Sequence, residues 1–176
     1  MDAPMTDEHQ PIADKPRPHS DQKTRLKLPQ FLPYRLATLS NRISRTIAAL
    51  YSERFHLSIP EWRIMAILGD ETDLSASEVA ERTAMDKVAV SRAVSRLLAK
   101  GRLERHFSST DRRRSVLALS PDGRAIYREI MPLALSYEAH LLAHLSGEEQ
   151  TALDHLLRRL ESLDLEMIKT PQHNQP

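Results

Sequence analysis

A chain of 176 residues, 40% apolar and 28% charged with a formal net charge of +1, has the composition of a soluble globular protein. That length suits one compact domain, or a small domain plus an oligomerisation element. No apolar run reaches the roughly 18 residues that a membrane helix needs. The first 23 residues are polar, so no signal peptide is expected, and cytoplasm is the default compartment. Cysteine is absent, which excludes a disulfide framework, a cysteine zinc finger and a thiol redox sensor.

Residues 1–28 carry Pro4, Pro11, Pro16 and Pro18 with no periodicity and read as a disordered tail. Lys23, Arg25 and Lys27 leave open a basic arm that reaches DNA. Leu32, Leu36, Leu39, Ile43, Ile47 and Leu50 then recur at three- and four-residue steps and predict one helix from about Pro33 to Arg54. Ser58 and Glu61 have capping-box spacing with Pro60 in the first turn, which opens a second helix with Trp62, Met65 and Leu68 inward. After a loop from Gly69 to Asp73, Ser75 and Glu78 open a short third helix, and Asp86 caps a fourth. On that fourth helix Val90, Val94, Leu97 and Leu98 mark the buried face, while Lys87, Ser91, Arg92, Ser95 and Arg96 fall largely on the other side.

Gly101 stops the helix, and two strands follow at Leu103–Phe107 and Ser115–Leu119, split by a turn holding Asp111, Arg112, Arg113 and Arg114. Ser120 and Pro121 open a helix to about His144. Ser146 with Glu149 opens a last one striped by Leu153, Leu156, Leu157, Leu160 and Leu163. Helix, turn, helix and hairpin in that order predict a mainly α fold with a small β-wing, a winged helix-turn-helix over 57–120. From Lys87 to Arg114 nine Lys/Arg face only Glu104 and Asp111, a net +7 in a chain whose total is +1, so the cationic field is concentrated on this module. The outer helices, at 30–56 and 121–168, need a partner for their apolar stripes. A second copy is the economical one, giving a two-fold homodimer with two helices for one duplex. Residues 169–176 read as a second tail.

The order of these segments, through SASEVAERTAMD, KVAVSRAVSRLLAKGRLER and STDRRRSVLALSPDG, resembles the MarR family of bacterial transcriptional regulators over about residues 30–168. The most specific piece is the wing, with Asp111-Arg112-Arg113 followed by Ser120-Pro121-Asp122-Gly123. The resemblance implies a sequence-specific repressor of double-stranded DNA, released from a pseudo-palindromic operator by a small molecule. It implies that Ser91 and Arg92 face the major groove, where arginine can bridge guanine O6 and N7. Lys87, Ser95 and Arg96 would flank them on phosphates, Arg113 would enter the minor groove, and Asp111 would hold Arg113 in position. Arg112 and Arg114 are phosphate contacts or solvated charges. A looser resemblance, to regulators of aromatic-acid catabolism, implies an effector that is an aromatic carboxylic acid or its CoA thioester. Arg35, Ser40, Trp62, Arg63 and Met65 are the candidates to meet it, against a plainer reading in which the arginines bridge acidic neighbours and Trp62 is core. His140 and His144, perhaps with His155, have chelating spacing but no carboxylate or thiol partner, so no metal or other cofactor is expected. No nucleophile motif or phosphate-cradling glycine loop supports an enzyme. The rival within this fold is an architectural DNA binder or interaction protein with no effector.

Overall fold

The structure, a computed structural model, describes residues 25–107 and 113–164. The chain divides into two units, Met1–Thr38 and Leu39–Pro176. The described part of the first is a 3-10 turn at Leu28–Gln30 and the opening of helix α1 (Leu32–Ala49), with residues 25–37 all exposed.

In the second unit α1 ends at Ala49 and a short helix α2 (Ser52–Phe55) follows. The single helix expected as far as Arg54 is therefore broken. Leu50 N–H and Tyr51 N–H donate to the Ile47 and Ala48 carbonyls at 3.0 and 3.1 Å, the tightened three-residue closure that ends an α-helix. The break turns Tyr51 and Phe55 inward, while Leu50 stays exposed. His56, at φ 49°, then ends α2 in the left-handed region.

The remaining helices start where their caps dictate. In α3 (Ile59–Asp70) and α4 (Ala76–Thr83) a serine hydroxyl accepts from the third amide of the helix, and the glutamate there accepts from the serine N–H. In α5 (Lys87–Ala99) the Asp86 carboxylate accepts from Ala89 N–H at 2.8 Å. Ala84 at φ 50° makes the turn between α4 and α5, a left-handed conformation that costs a non-glycine residue about 1 kcal/mol. The backbone offsets this with Ala84 N–H to Glu81 O and Met85 N–H to Ala80 O.

Gly101, at φ 65°, ends α5: its N–H reaches Leu98 O at 3.0 Å and Arg102 N–H reaches Leu97 O at 2.9 Å. The wing follows as β1 (Leu103–Phe107) antiparallel to β2 (Ser115–Leu119), with Leu103 opposite Leu119 and Arg105 opposite Leu117. Both strands have the predicted bounds. A bridge between Leu74 and Leu117, absent from the sequence reading, ties the loop before α4 to the sheet.

Helix α6 (Pro121–Leu142) starts hard against the base of the wing. Ser120 Oγ accepts from Gly123 N–H and donates to Gly101 O at 2.7 Å. A Cβ on Gly123 would lie 2.0 Å from Arg102 O, so only glycine fits there. Pro132 sits inside α6, and α7 (Gly147–Glu161) closes the described fold.

The core gathers Ile64, Met65 and Leu68 of α3, Val90, Ala93, Val94 and Leu97 of α5, and Leu103, Leu117 and Leu119 of the wing. Tyr51, Phe55 and Ile130 join it from outside 57–120, so the packed module is wider than the winged segment alone. Trp62, expected inward, is half-buried, and Ile64 takes that place.

Candidate nucleic-acid interface

The α4–turn–α5 pair presents α5 with one side sealed and one side open. Val90, Ala93, Val94 and Leu97 are buried; Lys87, Ser91, Arg92, Ser95 and Arg96 are exposed. Lys87 and Arg92 pair with no carboxylate among the described residues. A shallow cavity of about 150 Å³ opens beside α5, lined by Ser77 of α4, by Lys87, Ser91 and Ser95, and by Arg105 of β1. Neither Ser77 nor Arg105 stood out in the sequence as a site residue. Arg105 was visible only as one of the nine cations, because its placement depends on strand pairing.

Arg96 is placed differently from the rest. Its Nε lies 3.5 Å from Glu61 Oε1, and Lys100 Nζ lies 3.0 Å from the same oxygen. Glu61 is 2% exposed and was read from the sequence only as a cap. Burial opposes its ionisation. The Ser58 hydroxyl and N–H, together with the Lys100 ammonium, outweigh burial and hold its carboxyl below the usual range. The carboxylate thus ties α3 to α5, and Arg96 leans toward it. Lys100 also donates to His56 O at 2.9 Å, which anchors the end of α2 to the same point.

Arg114 binds Glu78 of α4. The Ser75 hydroxyl, the Ser75 N–H and then Arg114 pull the Glu78 carboxyl down to about 2. His106 of β1 meets Asp73 Oδ1 at 2.7 Å, a second tie between the wing and the loop before α4. Arg113 is exposed where the chain enters β2. Asp111 and Arg112, and with them the expected brace on Arg113, lie outside the described residues.

Of the effector candidates, Arg35 and Ser40 are exposed on α1, and Trp62 and Arg63 are half-buried on α3. Met65 is fully buried in the core, which corrects its assignment to an effector site: it offers no open surface. Trp62 stands between two tyrosines, with ring centroids 5.5 Å from Tyr51 and 6.0 Å from Tyr127. Tyr127 rests on Gly69, where a Cβ would come within 2.5 Å of the ring. Arg63 Nη2 donates to Ser44 Oγ at 3.1 Å. Burial pushes the Tyr51 hydroxyl up to about 12, against the nearby charge of Arg63. Ser44, Tyr51 and Tyr127 were missed in the sequence, since a polar serine and two tyrosines one position off the apolar stripes carry no local signal. His140 and His144 turn Nδ1 to the Ser136 and His140 carbonyls, at 2.7 and 2.9 Å. Among the described residues no group of three His, Asp or Glu could hold a metal ion, and no helix is long and apolar enough to cross a membrane.

A helix-turn-helix with a hairpin wing, and cations on the open face of its second helix, defines a winged-helix DNA-binding protein. The sequence model described as MarR family matches residues 57–114. Over 104 residues the chain is 25% identical to the transcriptional regulator HosA of Escherichia coli O111:H-, spanning 59% of this chain and 77% of that protein. The MarR/EmrR family transcriptional regulator from Acinetobacter sp. ADP1 superposes with a TM-score of 0.71 at 26% identity, over 77% of this chain and 96% of that one. Bordetella bronchiseptica BpsR superposes with a TM-score of 0.68 at 24% identity, over 80% and 99%. Over its winged segment, residues 57–114, the chain is similar to the MarR family of DNA-binding transcriptional regulators. Members of that family regulate transcription and are not enzymes.

Proposed function

We propose that the protein is a cytoplasmic repressor that binds a pseudo-palindromic operator as a homodimer and leaves it when an aromatic carboxylic acid, or its CoA thioester, binds. The dimer reading is supported by α1 and α7, which contain no buried residue although each carries a leucine stripe. In this reading residues 30–56 and 121–168 supply the interface between two winged modules. Ser91 and Arg92 read bases in the major groove, Lys87 and Ser95 engage phosphate, and Arg113 enters the minor groove. Arg96, whose Nε faces Glu61, keeps its Nη groups free to turn to phosphate.

The observation that carries the effector is the Arg63–Ser44 hydrogen bond next to the Tyr51–Trp62–Tyr127 stack. A guanidinium beside an aromatic wall is the chemistry that receives a planar carboxylate. The BpsR structure is described as regulated in its DNA binding by 6-hydroxynicotinic acid, itself an aromatic carboxylic acid, which agrees in chemical class. Effector binding at Trp62 would act on α5 through the neighbouring Glu61, which holds Lys100 and Arg96.

The test is an anisotropy titration on the DNA upstream of the protein's own gene, with non-specific competitor and a panel of aromatic acids and their CoA thioesters. Competitor-resistant binding abolished by one compound is expected. Binding that no compound changes would leave an architectural DNA binder without an effector.

A further inference from the structure

Arg105 stands on the wing strand at the cavity beside α4 and α5. In β1, Leu103, Arg105 and Phe107 share one face, and Leu103 on that face is buried. Across the ladder Arg105 stands opposite Leu117, 1% exposed. Past Leu103 that face opens to solvent, with Arg105 exposed and Phe107 69% exposed, and Arg105 lies beside the cavity that α4 and α5 form. No carboxylate among the described residues pairs with it.

The lining of that cavity is one-sided in its chemistry. Lys87 and Arg105 bring charge, and Ser77, Ser91 and Ser95 bring hydroxyls; none of the lining residues is acidic. The first amides of α4, at Ala76 and Ser77, have no carbonyl partner within their own helix. A phosphate presents acceptors on every side, and a cavity lined by two cations and three hydroxyls with no carboxylate suits it.

We infer that this cavity seats one phosphodiester of the DNA backbone, with Arg105 as the cation that fixes it and Ser77 closing the opposite wall. The seat deepens the DNA reading above and rests on it. It lets the wing strand, α4 and α5 grip the duplex at one point, so that α5 enters the groove in a set register.

The experiment is a salt series by anisotropy with the full chain, on an operator duplex and a non-specific duplex. Arg105→Gln is expected to weaken both duplexes by a similar factor, roughly tenfold or more, and to lower the slope of log K against log salt by about 1. Arg105→Lys is expected to keep most of the slope. Ser77→Asp adds a carboxylate in the first turn of α4, where the helix dipole favours it, so the melting temperature should hold while both affinities fall. An unchanged slope in Arg105→Gln, or full affinity in Ser77→Asp, overturns the seat. A loss confined to the operator makes Arg105 a base reader and overturns it as well. Inorganic phosphate at constant ionic strength that weakens wild type but not Arg105→Gln would assign the seat to a free anion instead. Failure of the wild type to bind either duplex removes the DNA reading itself, a result distinct from each of these.

Discussion

In α5, apolar residues three and four apart leave Val90, Ala93, Val94 and Leu97 no more than 2% exposed. In α7 the same spacing leaves Leu153, Leu156, Leu157 and Leu160 between 37% and 56% exposed. The two helices share a pattern and differ in what lies against it. For α5 the opposing surface comes from the same chain, in α3, α4 and β1; for α7 a comparable surface must come from elsewhere. A stripe therefore marks a face that needs covering without naming the cover. The charges divide in the same way. Glu61, Glu78, Arg96 and Arg114 are spent on tying the winged module together, while Lys87 and Arg92 on the same module have no acidic partner among the described residues.

Substitutions in the two regions should separate these cases. Ile64→Ala empties a site with no exposure and should cost about 2–5 kcal/mol, read as a lower denaturation midpoint in urea. Leu156→Glu with Leu160→Glu should leave the fold of the winged module intact by circular dichroism. Sedimentation should show a monomer, and operator affinity should fall by roughly a hundredfold as the two half-sites lose their linkage. Retention of a dimer by that variant would remove α7 from the interface.

Glu61→Gln keeps the contact with Ser58 but leaves Lys100 and Arg96 without their anion, at about 1–2 kcal/mol. The carboxyl is held below its usual 4.5 in the folded chain, so its contribution is complete at neutral pH. That contribution is lost as pH falls below the unfolded value and through the folded one. The variant should accordingly show a shallower fall in stability between roughly pH 5 and pH 3 than wild type. The smallest effect belongs to the open face. Arg92→Ala should change stability by less than about 0.5 kcal/mol while it abolishes operator-specific binding, a separation that only a residue outside the packing can give.

The element starts were legible because they rest on local chemistry. Ser58, Ser75, Asp86, Ser120 and Ser146 each satisfy amides within three residues, and a serine, aspartate or glutamate at that spacing can be read directly. The wing strands were legible for the same reason, since Gly101 and Ser120 bracket them. The break at Leu50–Tyr51 was not. The apolar stripe of α1 runs to Leu50, and only the inward turn of Tyr51 and Phe55, one step out of phase, makes the kink worthwhile. Glu61 was half legible: its cap role is local, but the cation that shares it comes from Lys100, 39 residues away. Arg114 with Glu78, and Arg105 over the cavity, likewise depend on pairings that no window along the chain contains. Of the candidate site, the face of α5 followed from helical spacing, whereas the partners that restrain Arg96 and Arg114 required the fold.

Pro132 gives α6 a place to yield. It has no N–H for the Arg128 carbonyl, and its ring crowds that turn, a combination that costs a helix interior about 3 kcal/mol. Before it, Ile126, Tyr127 and Ile130 anchor the helix on the winged core; after it, Leu133, Leu135 and Leu141 are exposed on the way to α7. Pro132 thus divides α6 into a part packed on the winged core and a part whose leucines are exposed. In the proposed dimer, the missing hydrogen bond at Pro132 marks where α6 can adjust the distance between the two DNA-reading heads. The proposed dimer should then accept operators whose half-sites differ slightly in spacing.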